Sequence, residues 1–196
     1  MDRREFLEAI AGVSALGSGL SLVPALCQEG FARELHARAH LSGPLRTLTP
    51  AEDATLTCIA DLLLPKSDTI GATEVGVNRF IDLLLSEAML EAQRDRFLAG
   101  LAAIDARSQS SWRVPFVSAS RQHQESLLRT LDSQLPRRNP APAEASALGA
   151  EPVTAEVGFA MLKHLVVLAY FTSEPVSRGL IKPPIIPGRY DGCVPV

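Results

Sequence analysis

Apolar residues recur every three to four positions in five stretches of this chain, the spacing of helices that bury one face. The first firm start is Thr49-Pro50-Ala51-Glu52. Threonine can cap a helix, proline suits its first position, and the glutamate completes a capping box. Leu56, Ile59, Ala60, Leu63 and Leu64 then share a face, and Pro65 ends the element. Residues 66–74 read as a loop. A second stripe follows in Val77, Phe80, Ile81, Leu84 and Leu85, and a third, over about residues 90–106, in Phe97, Leu98, Leu101 and Ile104. Trp112 to Pro115 is a break. A fourth helix is predicted over 118–135, with Leu127, Leu128, Leu131 and Leu135 near its end. The fifth runs from about Thr154 to Phe171 and ends in a run of seven apolar residues, Leu165 to Phe171. That run is too short to span a bilayer. It suits the central helix of a small all-α domain of about five helices.

Between and around these stripes the pattern changes. Residues 28–48 read as a polar leader. Residues 136–152, with Pro136, Pro140, Pro142 and Pro152, read as a flexible crossing. The tail, residues 174–196, is predicted to be extended rather than helical, because five prolines remove donors and fix its course. Its Ile181, Ile185, Ile186, Tyr190 and Val194 need a surface to cover them. The domain proper is therefore expected over 49–173, and the tail over 174–196 as a partner-binding segment.

The uncharged stretch Ala9–Leu26 calls for a different explanation. It is preceded by Asp2-Arg3-Arg4-Glu5-Phe6-Leu7-Glu8. Arg3, Arg4, Phe6 and Leu7 match the twin-arginine export motif; Asp2 and Glu8 depart from it. Three glycines and three serines keep the stretch mildly hydrophobic, as a twin-arginine signal should be. Ala25-Leu26-Cys27 offers small residues at the two positions read in signal cleavage. Residues 1–27 are therefore expected to be a signal. The competing reading is an ordinary buried helix. Lipidation at Cys27 is disfavoured by the large Leu26 before it.

Composition narrows the function. Of the 196 residues, 46% are hydrophobic, 21% charged and only 5% aromatic. That supports a core of aliphatic side chains and favours helices. A net charge of -3 argues against a nucleic-acid partner. Three cysteines, Cys27, Cys58 and Cys193, are too few and too scattered for a disulfide scaffold or a zinc site. No cofactor motif is found: Gly17-Ser18-Gly19 lies inside the signal and follows no strand, and no haem-attachment or hydrolase motif is present. His36 and His40 have helical i, i+4 spacing, but Arg33 and Arg38 would repel a cation, and a solvated leader explains the pair. His123 is expected to be exposed, and His164 a hydrogen-bonded core histidine. Solvent-facing positions are expected for Asp61 and Asp82. No catalytic constellation emerges, so no catalytic, cofactor-binding or metal residue is assigned.

Several of these residues together resemble the gluconate 2-dehydrogenase subunit 3 family. They are Ile59-Ala60-Asp61-Leu62-Leu63-Leu64-Pro65, Gly71-Ala72, Gly76-Val77, Phe80-Ile81-Asp82, Tyr170-Phe171-Thr172-Ser173-Glu174 and the tail Pro187-Gly188-Arg189-Tyr190-Asp191-Gly192-Cys193. The resemblance covers roughly residues 49–196. It implies a non-catalytic small subunit of a periplasmic sugar, polyol or gluconate dehydrogenase. The catalytic partner would be an FAD-containing flavoprotein of the glucose-methanol-choline type, often joined by a cytochrome c subunit carrying haem c. The small subunit would support maturation and bring its partner to the twin-arginine translocase. The expected location is the periplasm, free or held at the inner membrane through the complex or an uncut signal. Ile185, Ile186, Arg189, Tyr190 and Val194 are the candidate partner-binding residues. Cys193 would stand in an oxidising compartment, where an intermolecular disulfide to the flavoprotein is favoured over a buried free thiol. A free-standing periplasmic helical binding or scaffold protein is the alternative.

Overall fold

The computed structural model describes residues 30–40, 43–135 and 153–181. Among these residues seven helices follow one another: α1 (Phe31–Ala39), α2 (Pro50–Leu63), α3 (Val77–Glu87), α4 (Glu91–Trp112), α5 (Arg121–Gln134), α6 (Ala155–Thr172) and the single turn α7 (Glu174–Val176). A 3-10 turn at Phe116–Ser118 precedes α5, and a π turn at Ser177–Ile181 follows α7. The described residues form no strand, and the all-α reading holds.

The five expected helices are α2 to α6; α2 starts as the sequence suggests, whereas α5, expected from 118, begins at Arg121 after the 3-10 turn. Thr49 Oγ1 accepts from the Glu52 amide at 3.3 Å, while Glu52 Oε2 accepts from the Thr49 amide at 2.8 Å. That is the reciprocal capping box. Ser120 and Thr154 cap α5 and α6 in the simpler way, each accepting from the amide three residues on. Helix α4 runs six residues beyond the expected end and stops where Arg113 adopts φ 62°. This left-handed residue turns the chain back, so that Ser108 Oγ donates to the Val114 carbonyl at 3.0 Å and the Phe116 amide donates to Asp105 Oδ1 at 2.8 Å.

Helix α6 is the central element, packed against α2, α3, α4 and α5. Leu165, Val166 and Ala169 are fully buried, and Phe159 and Leu162 nearly so. The helix is long and apolar enough to cross a membrane by composition, but most of it is covered by its neighbours. Its most extensive partner is α4, and the two cross where Gly100 meets Gly158. A Cβ built on Gly158 would lie 2.5 Å from Gly100 Cα. The backbones themselves form this contact.

Three expectations need correction. Residues 28–48 are not simply a polar leader: α1 forms within them, and Leu35, His36 and Ala39 are buried against the domain, as is Leu48. The cause is visible in the spacing of Phe31, Leu35 and Ala39, every fourth residue. The tail does not begin extended. Pro175 stands in the first turn of α7, where no amide donor is needed, and Val176 is buried. Asp82 does not face solvent. It is 2% exposed, and its carboxylate accepts from three backbone amides: Arg46 at 2.8 Å, and Thr47 and Leu48 at 2.9 Å each. Helix α3 is buried along Phe80–Leu85 without interruption, so its aspartate has to be buried too, and it holds the irregular entry to α2.

The glycine crossing gives a test. Alanine in place of glycine ordinarily stabilises a helix interior by about 1 kcal/mol. At Gly158 the new methyl would strike backbone, which cannot rotate away. We therefore expect Gly158→Ala to destabilise by about 1–3 kcal/mol net, read as a lower thermal midpoint. A midpoint at or above that of the native chain would show that α4 and α6 can separate freely.

Candidate functional site

The residues that carry chemistry gather around α1. His36, the buried member of the pair predicted to be solvated, stacks on Phe80 of α3 with ring centroids 4.2 Å apart. Its Nε2 lies 3.0 Å from Thr172 Oγ1 at the end of α6. Thr172 spends its own hydrogen on the Leu168 carbonyl, 2.7 Å away. His36 is therefore the donor, and as a neutral imidazole it carries its bare lone pair on Nδ1. That Nδ1 is buried and has no hydrogen-bond partner among the described residues. Burial, and secondarily the neighbouring His40, lower the His36 pKa to about 4.

Two clefts flank α1. One, of about 720 Å³, lies between α1 and the chain after α6, bordered by Arg33, His36, His40, Thr172, Glu174 and Arg178. Arg178 is held by Glu174 at 2.7 Å. The other, of about 250 Å³, lies between α1, α3 and the segment before α2, bordered by Arg38, Gly43, Pro44, Arg46, Arg79 and Asp82. Glu87 accepts from both Arg38 and Arg46 there. No group of three or more His, Cys, Asp or Glu side chains placed to hold a metal occurs among the described residues.

The remaining candidates are dispersed. His164 is buried in α6, and burial lowers its pKa. His123 is exposed and lies flat against Trp112, ring centroids 4.5 Å apart. Asp61 stands at the surface 3.6 Å from Arg121. Cys58 is a free, half-buried thiol whose pKa is raised by burial and then by Asp61, which makes it a poor nucleophile. Arg3, Arg4, Phe6 and Leu7, expected to form an export motif, and Ile185, Ile186, Arg189, Tyr190, Cys193 and Val194 of the tail, expected to bind a partner, lie outside the described residues. So does the crossing at 136–152.

His36 makes α1 sensitive to acid. Its folded pKa is depressed, so the folded state binds fewer protons than the unfolded state between the ordinary value of 6.5 and about 4. Stability is fully present above that window and is lost as pH falls through it. The loss is on the order of 3 kcal/mol. His36→Phe keeps a ring against Phe80 and removes the proton, so unfolding measured from pH 7 to pH 4 should show a shallower slope than in the native chain. An unchanged slope would place His36 outside the acid response.

Several of the residues that suggested a family, those before the tail, also meet in space. Tyr170 of α6 donates from its hydroxyl to the Ile70 carbonyl at 2.7 Å, immediately before Gly71-Ala72. The Ala72 amide bonds the Leu64 carbonyl at 3.0 Å and closes the loop that follows α2. Ala72 and Val77 are fully buried beneath it. These positions build the domain. No curated protein and no solved structure matches the chain. The family described as gluconate 2-dehydrogenase subunit 3 matches it over residues 50–182, from the first residue of α2 through the π turn. The chain belongs to the gluconate 2-dehydrogenase subunit 3 family.

Proposed function

We propose that this chain is a non-catalytic small subunit of a periplasmic FAD-dependent dehydrogenase acting on a sugar, polyol or sugar acid, and that it carries the twin-arginine signal for its flavoprotein partner. The observation that carries this reading is the family match over residues 50–182. The sequence before the match adds to it: Arg3-Arg4 with Phe6-Leu7, then an uncharged stretch, then Gly30 and α1. A flavoprotein that folds around its cofactor before transport needs a route for folded proteins, and a bound companion can supply the address.

The flavin fits the partner better than this chain. Dinucleotides are gripped by a glycine-rich turn between a strand and a helix, where backbone amides meet the pyrophosphate. The close glycines here, Gly17 and Gly19, follow no strand in the sequence, and the described residues supply none. The part of this chain would be to bind, stabilise and deliver. A cytochrome c subunit would take up the electrons. The tail residues Ile185, Ile186, Arg189, Tyr190 and Val194 would lie on the flavoprotein, arginine and tyrosine being favoured where interfaces are strongest.

Two measurements test the reading. Lysine lacks the planar donor fork of arginine, so Arg3→Lys with Arg4→Lys should leave both this chain and the flavoprotein in the cytoplasm. Dehydrogenase activity at native levels in the periplasm of that variant would rule out the carrier role. Cys193, exported and close to the tail contacts, would form an intermolecular disulfide. Non-reducing electrophoresis of the purified complex, with thiols blocked at lysis, should show a joined band that disappears in Cys193→Ser. Separate bands in both would leave the tail a packing role alone.

A further inference from the structure

The smaller cleft beside α1 is charged in a way that its own carboxylates do not balance. Three guanidinium groups, those of Arg38, Arg46 and Arg79, border it together with two carboxylates, those of Asp82 within it and Glu87 at its edge. Asp82 already accepts from the backbone amides of Arg46, Thr47 and Leu48 with both of its oxygens, and bonds none of the three guanidinium groups among the described residues. Glu87 is shared between Arg38, which takes both oxygens, and Arg46. Arg79 reaches only the Gly43 carbonyl, at 3.0 Å, and pairs with no carboxylate among the described residues. Arg46 is half exposed. The cleft thus holds two guanidinium groups with donors to spare, in a chain whose net charge is -3.

The walls of the cleft narrow the choice of occupant. Ala39 and Leu83, both buried, and Pro44 give it an apolar side next to the guanidinium groups. A bare inorganic anion would leave that side uncovered. A carboxylate on a short methylene stem would cover it and present two oxygens to the planar forks of Arg46 and Arg79, the pairing to which arginine is best suited. At about 250 Å³ the space admits such a side chain with room to spare.

We propose that this cleft seats an aspartate or glutamate side chain of the flavoprotein subunit, its carboxylate bridging Arg46 and Arg79. This rests on the functional reading above. It adds to the tail a second contact on the folded domain, beside the helix that follows the export segment. Oppositely charged groups placed in this way steer encounter and fix the register of an interface.

The test is capture of the flavoprotein by the tagged full-length chain, with flavin absorbance of the eluate as the readout over a range of concentration and salt. Arg46→Ala and Arg79→Ala should each weaken capture by about tenfold and flatten its salt dependence, with Arg79→Lys restoring part of it. Arg129→Ala, on the exposed face of α5 and away from the cleft, should bind as the native chain does. The Arg46 variant keeps the backbone amide that holds Asp82, so it retains the local fold even if Arg79→Ala does not. Capture by a folded Arg46→Ala chain within about twofold of native, or an equal loss in Arg129→Ala, would overturn the proposal while leaving the small-subunit reading intact. A native chain that captures no flavoprotein would overturn both.

Discussion

The contact on which the rest of the domain depends is between two glycine backbones. Gly100 and Gly158 let α4 and α6 approach more closely than any side chain allows. That places α6 deep enough for Phe159, Leu162, Leu165 and Val166 to be covered on several sides at once. Once α6 is fixed, its far end is fixed too. Tyr170 can then reach the Ile70 carbonyl and pin the loop after α2, and Thr172 can accept the His36 ring and seat α1. A helix lying further out would lose both contacts, so the crossing governs features well away from itself.

The stripes of α2 to α6 were legible because apolar residues recur at helical spacing along each, and three of these helices start on a side-chain cap. Thr49 and Glu52 are the clearest case. Less legible was any residue whose burial comes from a neighbour distant in sequence. Asp82 looks like an exposed helix carboxylate until the segment before α2 is laid across it. The α1 helix was missed because arginines and histidines masked the Phe31, Leu35 and Ala39 spacing. The first turn after α6 was missed for the opposite reason: prolines suggested an extended chain, yet Pro175 sits where a helix tolerates it. The arginines around the smaller cleft gave no sequence signal, since Arg38, Arg46 and Arg79 come from three separate elements.

The placement of α1 bears on how export and folding could be joined. The proposed signal leads into Gly30, and within a few residues the chain is anchored by Leu35, by the His36–Phe80 stack and by the Arg38–Glu87 pair. The partners of these anchors belong to other elements, Phe80 and Glu87 to α3 and Thr172, which accepts from His36, to α6, so α1 can be seated only after the core has formed. A short helix of nine residues is marginal on its own. Its order therefore reports whether the domain behind it is folded. The arginine-lined cleft shares Arg38 and Ala39 with that same helix. If a flavoprotein carboxylate occupies the cleft, the partner's binding and the seating of α1 stabilise each other, because each needs the other's surface in place. Helix α1, which follows the proposed signal, would then be held most firmly in the loaded complex, the state that a route for folded proteins has to carry.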